Sequence, residues 1–582
     1  MLMKKYILSL FIIIACFMAN ATTYYVSLTG SNGNSGLTEA LAWRTLTYAV
    51  GGSSPVVAGD LIYVKCGNYG NENVVFSKEG SCGLPLTVRG YKTTPGESIT
   101  ALINQANPYT AYTTTAMPTY TGSSRTTGIA IDTRDRDYIN IENIQITAYA
   151  YGLLSGSADT TANINLYNVN CMTIGDPSNT YLGQGILYGS MGTQWGDRNK
   201  IVNCLVVNCC AEGVNFNGDN NVAYGCKVYC NEQNTIGYEQ TDYYFMCCGN
   251  YNRLDHCYGE RAAAVAAAGS QSIHGFSFKT NAEQVIDQGL PYPTISAKYN
   301  VAYYCGMRNA DEGFCARHRL AQYNLFSHCY ARGTHTGSSA ASGNGNLITW
   351  RDGASYNTAD ACNGDSLYSF YEIYDTSEDG GSHPGTGNKI INSWGANCYA
   401  TNYFNNPSGS STYTVDCGQH LVANCSFYLT RYLHICSTHC ANMIFQGNIY
   451  YGNSDVGSGG YFAGGTYSAD ITAGEFTDCD YYKQQGGVSA PILASTGSKT
   501  VTPSYTNAAA RNFILGGSSA MLNANSHITA ETVPIVAMCQ FATPNNNLDD
   551  FDRNVYNVRN IPHITRNYDG VVKFGARNIG CY

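Results

Sequence analysis

The sequence predicts an all-β protein, built as a single-stranded right-handed parallel β-helix of roughly a dozen coils. The first observation is a repeated phrase in which four residues separate an asparagine from a cysteine. It occurs at residues 199–204, 221–226, 252–257, 300–305 and 324–329. Successive cysteines of the phrase are 22, 31, 48 and 24 residues apart, so the basic period is in the low twenties. Repeats of this length indicate stacked structural units.

The repeated segments have the composition of strands. They are short, rich in Val, Ile, Tyr and Phe, and interrupted by Gly and Asn, whereas a helical repeat needs apolar residues at a spacing of about 3.6. Strands at a fixed short period describe a parallel β-helix, in which equivalent residues stack about 4.8 Å apart. The cysteines then form an inward column. The asparagines form a ladder at a bend, where Asn tolerates a left-handed backbone.

Charge and composition limit the classes of partner. The chain of 582 residues is 13% charged and 44% hydrophobic, which fits a tall β structure with polar, uncharged bends rather than a disordered chain. A net charge of -9 argues against a nucleic-acid partner, which normally meets a basic surface. The same charge permits calcium and does not exclude an acidic polysaccharide. The sequence does not indicate an oligomeric state.

The N-terminus has the features of a processing signal that directs secretion. Lys4 and Lys5 precede an apolar run, and residues 19–21 (Ala-Asn-Ala) fit a cleavage site, so residues 1–21 are predicted to be a signal peptide. The alternative is a lipoprotein signal ending at Cys16. No later apolar run is long enough to span a bilayer.

The remaining chain divides into three predicted regions. Residues 22–58 hold an N-terminal strand and a capping helix that starts at Thr38 and runs to about residue 50, because a solenoid needs its open end covered. Residues 59–545 form the β-helix, with loop insertions at 104–126 and 333–387. Residues 546–582 wrap the C-terminal end.

Most of the cysteines are predicted to be buried thiols. Export to an oxidising compartment permits disulfides. However, side chains stacked about 4.8 Å apart are not automatically in disulfide geometry, and a free cysteine is a small buried hydrophobe. Stacked core thiols are therefore favoured over a disulfide ladder, which stays the alternative.

Several segments resemble those of a known superfamily. The first coils read GDLIYVKCGNY (59–69), GLPLTVRGY (83–91) and DYINIENIQIT (137–147). They resemble the secreted right-handed parallel β-helix proteins of the pectate-lyase-like superfamily, over nearly the whole mature chain. The resemblance implies the pectin-lyase-like solenoid fold.

A second phrase places polar residues on one outer face. It reads EGVNFN (212–217), HGFSFK (274–279) and EGFCAR (312–317). Alternation along each strand puts the third and fifth residues of the phrase on the inner face and the last residue on the outer face. If the glycines stack, Asn217, Lys279 and Arg317 form an outer column, with Glu212, His274 and Glu312 together at the corner before it.

Further charged residues fall within the same two or three coils, namely Arg308, Asp311, His318, Arg319 and Arg332. In a chain so poor in charge, this clustering predicts a cleft for an anionic sugar. Roles are assigned as follows: catalytic, Lys279, Arg317 and Arg319; substrate-binding, Arg308, His274, His318 and Arg332; metal-binding, Glu212, Asp311 and Glu312.

β-Elimination from a uronic acid is the chemistry that these residue types fit. A base must take the C5 proton, a cation must neutralise the neighbouring carboxylate, and the leaving oxygen needs a proton donor such as water or tyrosine. Lysine beside another cation can serve as the base because the neighbouring charge lowers its pKa. The arginines can hold carboxylates. Because exposed charges contribute little to stability, truncating Lys279 or Arg317 is expected to leave the melting temperature almost unchanged.

The same segment is similar to the family 9 polysaccharide lyases. Those enzymes carry D-G-F-x-x-K followed one coil later by N-x-D-D-G-W/F, and this chain has HGFSFK (274–279) and NADEGF (309–314). The similarity implies lyase activity and calcium as a cofactor. His274 stands where the family has a calcium-binding aspartate. Residues 317–319 (Arg-His-Arg) stand where the catalytic lysine is expected.

Two other functions remain open. The paired acids Asp311 and Glu312 keep a glycoside hydrolase conceivable, although the G-H-G and R-I-K phrases of polygalacturonases are not present. A non-catalytic adhesin or structural β-helix is the third interpretation, in which the outer cations are simply solvated. Trp350, Arg351 and Asp352 are the next candidates if the first cluster is inactive.

Overall fold

The protein is a parallel β-helix, as seen in a computed structural model. The structure describes residues 21–464 apart from internal segments such as 233–240, 266–272, 281–295, 334–344, 375–384 and 406–413, and beyond residue 464 only four short strands. Within these residues each complete coil adds one strand to a 13-stranded parallel sheet and two strands to a 27-stranded parallel sheet. We call these three stacks of strands column 1, column 2 and column 3. The prediction of an all-β solenoid of roughly a dozen coils is confirmed.

Column 1 is the 13-stranded sheet. Its strands are Val74–Val75, Ile129–Asp132, Tyr151–Ser155, Gln184–Tyr188, Glu212–Asn217, Tyr243–Cys248, His274–Lys279, Glu312–Arg317, Asn346–Arg351, Ser369–Tyr374, Ala400–Asn405, Tyr432–Cys436 and Tyr461–Gly464.

Columns 2 and 3 share the larger sheet, because only a short bend joins the two strands of most coils. Column 2 contains Thr23–Val26, Leu61–Lys65, Leu86–Tyr91, Lys200–Val202, Val222–Tyr224, Arg253–Asp255, Val301–Tyr303, Leu325–Ser327, Thr358–Asp360, Lys389–Ile391, Leu421–Ala423, Ile444–Gln446 and Phe476–Thr477. Column 3 contains Gly67–Asn68, Pro118–Thr121, Leu205–Cys209, Lys227–Cys230, Tyr258–Arg261, Gly306–Arg308, Tyr330–Arg332, Asn363–Asp365, Trp394–Ala396, Ser426–Thr430, Ile449–Gly452 and Asp480–Tyr482. Two long strands, Ile139–Thr147 and Ile164–Ile174, run through both columns.

Four small sheets complete the strands. Three are parallel pairs, Thr161–Ala162 with Gly196–Asp197, Ala297–Lys298 with Ala321–Gln322, and Thr414–Asp416 with His439–Ala441. The fourth, Tyr505–Asn507 with Asn512–Leu515, is antiparallel.

The N-terminal region differs from its prediction. Residues 38–50 do not form one helix: a 3-10 turn spans Glu39–Leu41 and a separate α-helix spans Leu46–Val50. The side chains of Thr38 and Thr45 each accept an amide hydrogen bond at the start of these elements, so two caps divide the segment. A capping role for this region stays a prediction.

Both predicted terminal regions lie outside the description. Residues 1–20 of the predicted signal peptide and the whole segment 546–582 are outside the described residues. In the part of the chain that the structure describes, no helix has the length and apolar character of a membrane span.

The predicted cysteine column is confirmed. Cys204, Cys226, Cys257, Cys305 and Cys329 are all buried thiols. From the second of them onward each Sγ approaches a backbone carbonyl of the preceding coil, at 3.4 to 3.6 Å. The sulfurs therefore fill an interior corner of successive coils and weakly satisfy carbonyl groups there. The ladder continues beyond the repeat phrase to Cys362, whose Sγ lies 3.4 Å from a carbonyl of the coil before it.

The asparagine ladder is also confirmed, with one correction. In most steps the Oδ1 of one ladder Asn accepts from both the backbone and the side-chain amide of the Asn one coil earlier; between Asn324 and Asn357 the two distances are 3.0 and 2.9 Å. The left-handed residue is the one before the ladder Asn: Tyr323 has φ 57° and Tyr356 has φ 58°. The ladder asparagines are thus fixed by buried amides that hydrogen-bond from coil to coil.

His420 occupies the next position of this ladder, as the sequence HLVANC predicts. The neighbouring strands pair Lys389 with Leu421, which puts His420 beside Asn388. Its Nε2 lies 2.9 Å from the carbonyl oxygen of Gly385, so this nitrogen carries the proton. Burial lowers the pKa of His420 to about 4.

We predict that His420→Asn makes the free energy of unfolding less dependent on pH in the acidic range. The folded pKa of about 4 lies below the unfolded value of about 6.5, so the unfolded state binds more protons between these limits. Stability of the wild type should fall as the pH is lowered from about 6.5 to about 4, by a few kcal/mol at most. Denaturant unfolding at several pH values should show a flatter profile for His420→Asn. An identical slope in both proteins would contradict the assignment.

Candidate functional site

The outer column predicted from the second phrase exists on column 1. Lys279 pairs with Arg317, and Arg317 pairs with Arg351 of the next coil, so three cations stand in register. Phe276 and Phe314 lie on the inner face and stack with ring centroids 4.9 Å apart. The inward aromatic stack fixes the register, and alternation then forces the cations onto the outer face.

One coil separates the two parts of the predicted column. Asn217 pairs with Cys248 of the strand Tyr243–Cys248, and this strand in turn pairs with His274–Lys279. At the other end of the strands, Glu212 pairs with Tyr243, Tyr243 with His274, and His274 with Glu312. The predicted corner row is therefore confirmed, with Tyr243 as a member that the phrase did not reveal.

Tyr243 links the row to the column. Lys279 Nζ and Arg317 Nη1 each donate to its hydroxyl oxygen at 2.9 Å. Lys279 Nζ also lies 4.8 Å from the centroid of the tyrosine ring, and the ring stacks on His274 at 4.4 Å. Two basic side chains from successive coils thus converge on one phenol oxygen.

Glu312 and Asp352 balance the other cations. Glu312 lies 2.9 Å from His274 Nδ1 and accepts from Arg351 Nη1 at 3.0 Å. Asp352 Oδ2 accepts from Arg351 Nε at 3.1 Å and from Arg317 Nε at 3.3 Å. Burial alone would raise the pKa of Glu312, but the charges of His274 and Arg351 outweigh it and hold the pKa well below its usual range.

The prediction that these cations are solvent-exposed is wrong. Lys279 and Arg317 are each 3% exposed and Arg351 is 6% exposed. Charges removed from water must be paired, and the tyrosine, glutamate and aspartate supply the partners. Truncating Lys279 or Arg317 is therefore expected to cost stability, contrary to the expectation for exposed charges.

The structure places four of the predicted site residues away from the column. Arg308 and Arg332 lie on column 3, one coil apart, so the prediction that Arg308 shares the face of Lys279 is wrong. His318 and Arg319 follow the end of the strand Glu312–Arg317 in a turn, where His318 has φ 76°. The Arg319 carbonyl accepts from the Gln322 side chain at 2.9 Å.

The three carboxylates proposed as metal ligands do not fit one calcium site. Along the row, three strand spacings, about 14 Å, separate Glu212 from Glu312. Asp311 is held by Arg261 at 3.1 Å and by the backbone amide of Ile273 at 2.9 Å. Among the described residues, no three His, Cys, Asp or Glu side chains converge as a metal cluster. No catalytic step is therefore assigned to calcium.

Glu212 is nevertheless chemically distinct from Glu312. It accepts a hydrogen bond of 2.6 Å from Asn215 of its own strand. Burial raises the pKa of Glu212, against the opposing effects of this hydrogen bond and of the Lys279 charge. The two glutamates of the row thus differ in protonation tendency, because Glu312 lies between His274 and Arg351.

No family model matches the chain, and no curated protein does. The chain has the parallel β-helix fold. Its solved structural neighbours include the pectate lyase Pel9A, at 14% identity over 89% of this chain and 94% of that one, with a TM-score of 0.37.

Two further neighbours are named for different activities. A mannuronic acid specific polysaccharide family 6 lyase from human gut microbiota is 11% identical over 79% of this chain and 86% of its own, with a TM-score of 0.40. The GH136 lacto-N-biosidase from Eubacterium ramulus is 13% identical over 63% and 67%, with a TM-score of 0.37.

Sequence reasoning missed the role of Tyr243 and the place of Arg351 in the column. The segment DYYFMCC (242–248) has the same alternation as the second phrase, but it lacks the glycine that marked the others. The strand Asn346–Arg351 also lacks that glycine, although its arginine is the sixth residue, as Lys279 is in the strand His274–Lys279. Aligning the strands by their inward apolar residues would have found both.

We predict that Glu312→Gln destabilises the fold. The substitution leaves His274 and Arg351 without their shared counter-charge, and losing one partner of a buried ion pair typically costs about 3–5 kcal/mol. Because the folded pKa is depressed, this stabilisation is present above the unfolded value of about 4.3 and is lost as the pH falls below it. The difference between the denaturant midpoints at pH 7 and pH 3 should therefore be smaller in the variant than in the wild type.

A matched control is Glu232→Gln. Glu232 also pairs with an arginine, Arg125, at 3.4 Å, but its side chain is 40% exposed. An exposed pair of this kind contributes about 1 kcal/mol or less. Equal losses in the two variants would contradict the buried network described for Glu312.

Proposed function

We propose that the protein is a polysaccharide lyase that cleaves a uronic-acid-containing glycan by β-elimination. The observation that carries the proposal is the convergence of Lys279 Nζ and Arg317 Nη1 on the hydroxyl oxygen of Tyr243. A base, a carboxylate-binding cation and a hydroxyl proton donor are the three groups that this reaction needs. Here the lysine and the arginine both lie within hydrogen-bond distance of the tyrosine hydroxyl.

In this mechanism each residue has one task. Arg317 binds the uronate carboxylate and stabilises the negative charge that develops when the C5 proton is removed. Lys279, in its neutral form, takes that proton. The C4–O bond then breaks, a C4–C5 double bond forms, and the Tyr243 hydroxyl gives its proton to the leaving oxygen. Lys279 returns the proton to Tyr243 through the hydrogen bond that already joins them.

The burial of these groups sets a condition on access. Since Lys279, Arg317 and Tyr243 are at most 6% exposed, a glycan reaches them only after a local opening of the structure around this face. Once closed, the site excludes water, which strengthens the interaction between Arg317 and a bound carboxylate.

A hydrolase is less consistent with the same geometry. Glycoside hydrolysis needs one carboxyl group that stays protonated while the other is ionised. Asp311 is paired with Arg261, and Glu312 is paired with His274 and Arg351. The adjacent acids therefore both have cationic partners, which does not favour a proton donor at either position.

The proposal also places the protein outside the cytoplasm. The predicted signal peptide and the polymeric substrate class agree on this point. The mature chain should begin near Thr22, which mass spectrometry of the secreted protein would test. A lipid on Cys16 would instead indicate surface anchoring.

We predict that Tyr243→Phe lowers turnover by roughly a hundredfold, because it deletes the proton donor but keeps the ring that stacks on His274. The measurement is the ultraviolet absorbance of unsaturated sugar ends formed from pectate, alginate and other uronic-acid polymers. Lys279→Met and Arg317→Gln should show losses of at least the same size.

Controls separate chemistry from folding. Lys65→Met changes a lysine that is paired with Glu39 at 3.1 Å and 42% exposed, and it should leave turnover unchanged. Melting temperatures identify variants that fail to fold. Full activity of folded Tyr243→Phe and Lys279→Met would place the chemistry elsewhere. A wild type that binds uronans without producing unsaturated ends would replace the lyase with a glycan-binding protein.

A further inference from the structure

A concave surface lies on the outer face of column 3. Its cavity of about 360 Å³ is lined by Lys227, Tyr229, Tyr258, Arg308, Tyr330 and Arg332. These residues come from four successive strands of the column. We call this surface the column 3 groove. It lies on a different sheet from Lys279 and Arg317.

Strand register explains why the surface is concave. One row along the column reads Lys227, Tyr258, Gly306 and Tyr330. Gly306 has no side chain, so a gap of one coil separates the two tyrosines, which stand two strand spacings, about 10 Å, apart. Such a gap between aromatic side chains gives room for a ligand ring.

The neighbouring row supplies the charge. It reads Tyr229, Glu260, Arg308 and Arg332 along the same four strands, followed by Asp365. The Arg308 and Arg332 side chains are 41% and 50% exposed. They therefore present guanidinium donors to solvent from adjacent coils.

The ion pairs in this row are long. Arg308 Nη1 lies 3.7 Å from Glu260, and Arg332 Nε lies 4.0 Å from Asp365. In the buried network of column 1, Arg351 meets its carboxylates at 3.0 and 3.1 Å. At the longer distances a carboxylate contributes little to satisfying a guanidinium, so both arginines retain donors for another anion.

Aromatic packing makes one end of the groove firm. Tyr229 contacts Tyr258 at a centroid distance of 5.8 Å, and Tyr109, from another part of the chain, contacts Tyr229 at 5.9 Å. The Tyr258 hydroxyl donates to Glu260 at 2.6 Å. The ring positions are thus held before any ligand arrives, which lowers the ordering cost of binding.

We propose that the column 3 groove is a second binding site for an acidic oligosaccharide, separate from the site of cleavage. Arg308 and Arg332 bind carboxylates of the glycan, and a sugar ring occupies the gap over Gly306 between Tyr258 and Tyr330. The choice of a uronic-acid glycan as the ligand rests on the proposed function. The site itself rests on the groove, its register and its exposed cations.

The test is equilibrium binding of defined ligands to the full chain. Oligogalacturonate and oligomannuronate are titrated by calorimetry into the wild type, Arg308→Gln, Arg332→Gln and the double variant, with a neutral dextran oligomer as the ligand control. The matched protein control is Arg134→Gln, because Arg134 is also paired with a carboxylate and its side chain is also 41% exposed. Lys279→Met serves as a non-cleaving background.

We expect Arg308→Gln and Arg332→Gln each to weaken binding of one acidic oligosaccharide tenfold or more, which is the scale of a lost charge-assisted hydrogen bond. Arg134→Gln should bind like the wild type, and dextran should not bind the groove. On long polymers the two groove variants should raise KM and leave kcat unchanged, since the groove takes no part in the chemical step.

The results separate this inference from the proposed function. If the double variant binds every acidic oligosaccharide like the wild type, the second site is overturned, whatever Lys279→Met does to cleavage. If the wild type cleaves no uronan but loses binding when Arg308 or Arg332 is changed, the lyase proposal fails and the groove stands. A wild type that binds neither acidic oligosaccharide overturns the groove as a uronate site.

Discussion

In-register pairing of parallel strands is the constraint on which the rest of this structure depends. Each residue of one coil lies beside its equivalent in the next, about 4.8 Å away. A side chain is therefore favourable only if it tolerates a copy of itself or a suitable partner at that distance. Asparagine amides, cysteine thiols and phenylalanine rings all do so, and they form the amide ladder, the thiol column and the inner aromatic stack.

The same constraint brings like charges together where the sequence repeats a cation. Lys279, Arg317 and Arg351 occupy successive coils, and two unit charges at about 4.8 Å repel by about 3 kcal/mol at an effective dielectric constant of ~20. Lateral neighbours offset this cost: Tyr243 accepts from two of the cations, and Asp352 accepts from two. Each of the three cations therefore has a hydrogen-bond acceptor, which lowers the cost of removing it from water.

The two polar surfaces of the β-helix differ in a way that suits different tasks. On column 1 the cations are buried and closely paired, so they are pre-organised for a developing negative charge. On column 3 Arg308 and Arg332 are half-exposed and loosely paired, so they can contact a ligand without a rearrangement of the coil. Under the two proposals made above, a long polymer uses both surfaces, column 3 for capture and column 1 for chemistry.

The sequence by itself determined the coil, its inward columns and the outer position of Lys279 and Arg317. These features follow from the side-chain period of two within a strand, which does not depend on the neighbouring strands. It also placed His420 in the amide ladder. Only the tertiary structure decided which outer residues meet. The length of the insertions between strands hides which coils are adjacent, so the sequence did not place Tyr243 beside His274. The bends within a coil decide which sheet each strand joins, and they put Arg308 on column 3. The burial of the cations is likewise set by the tertiary structure, because it depends on what surrounds a face of the β-helix rather than on the residues within one strand.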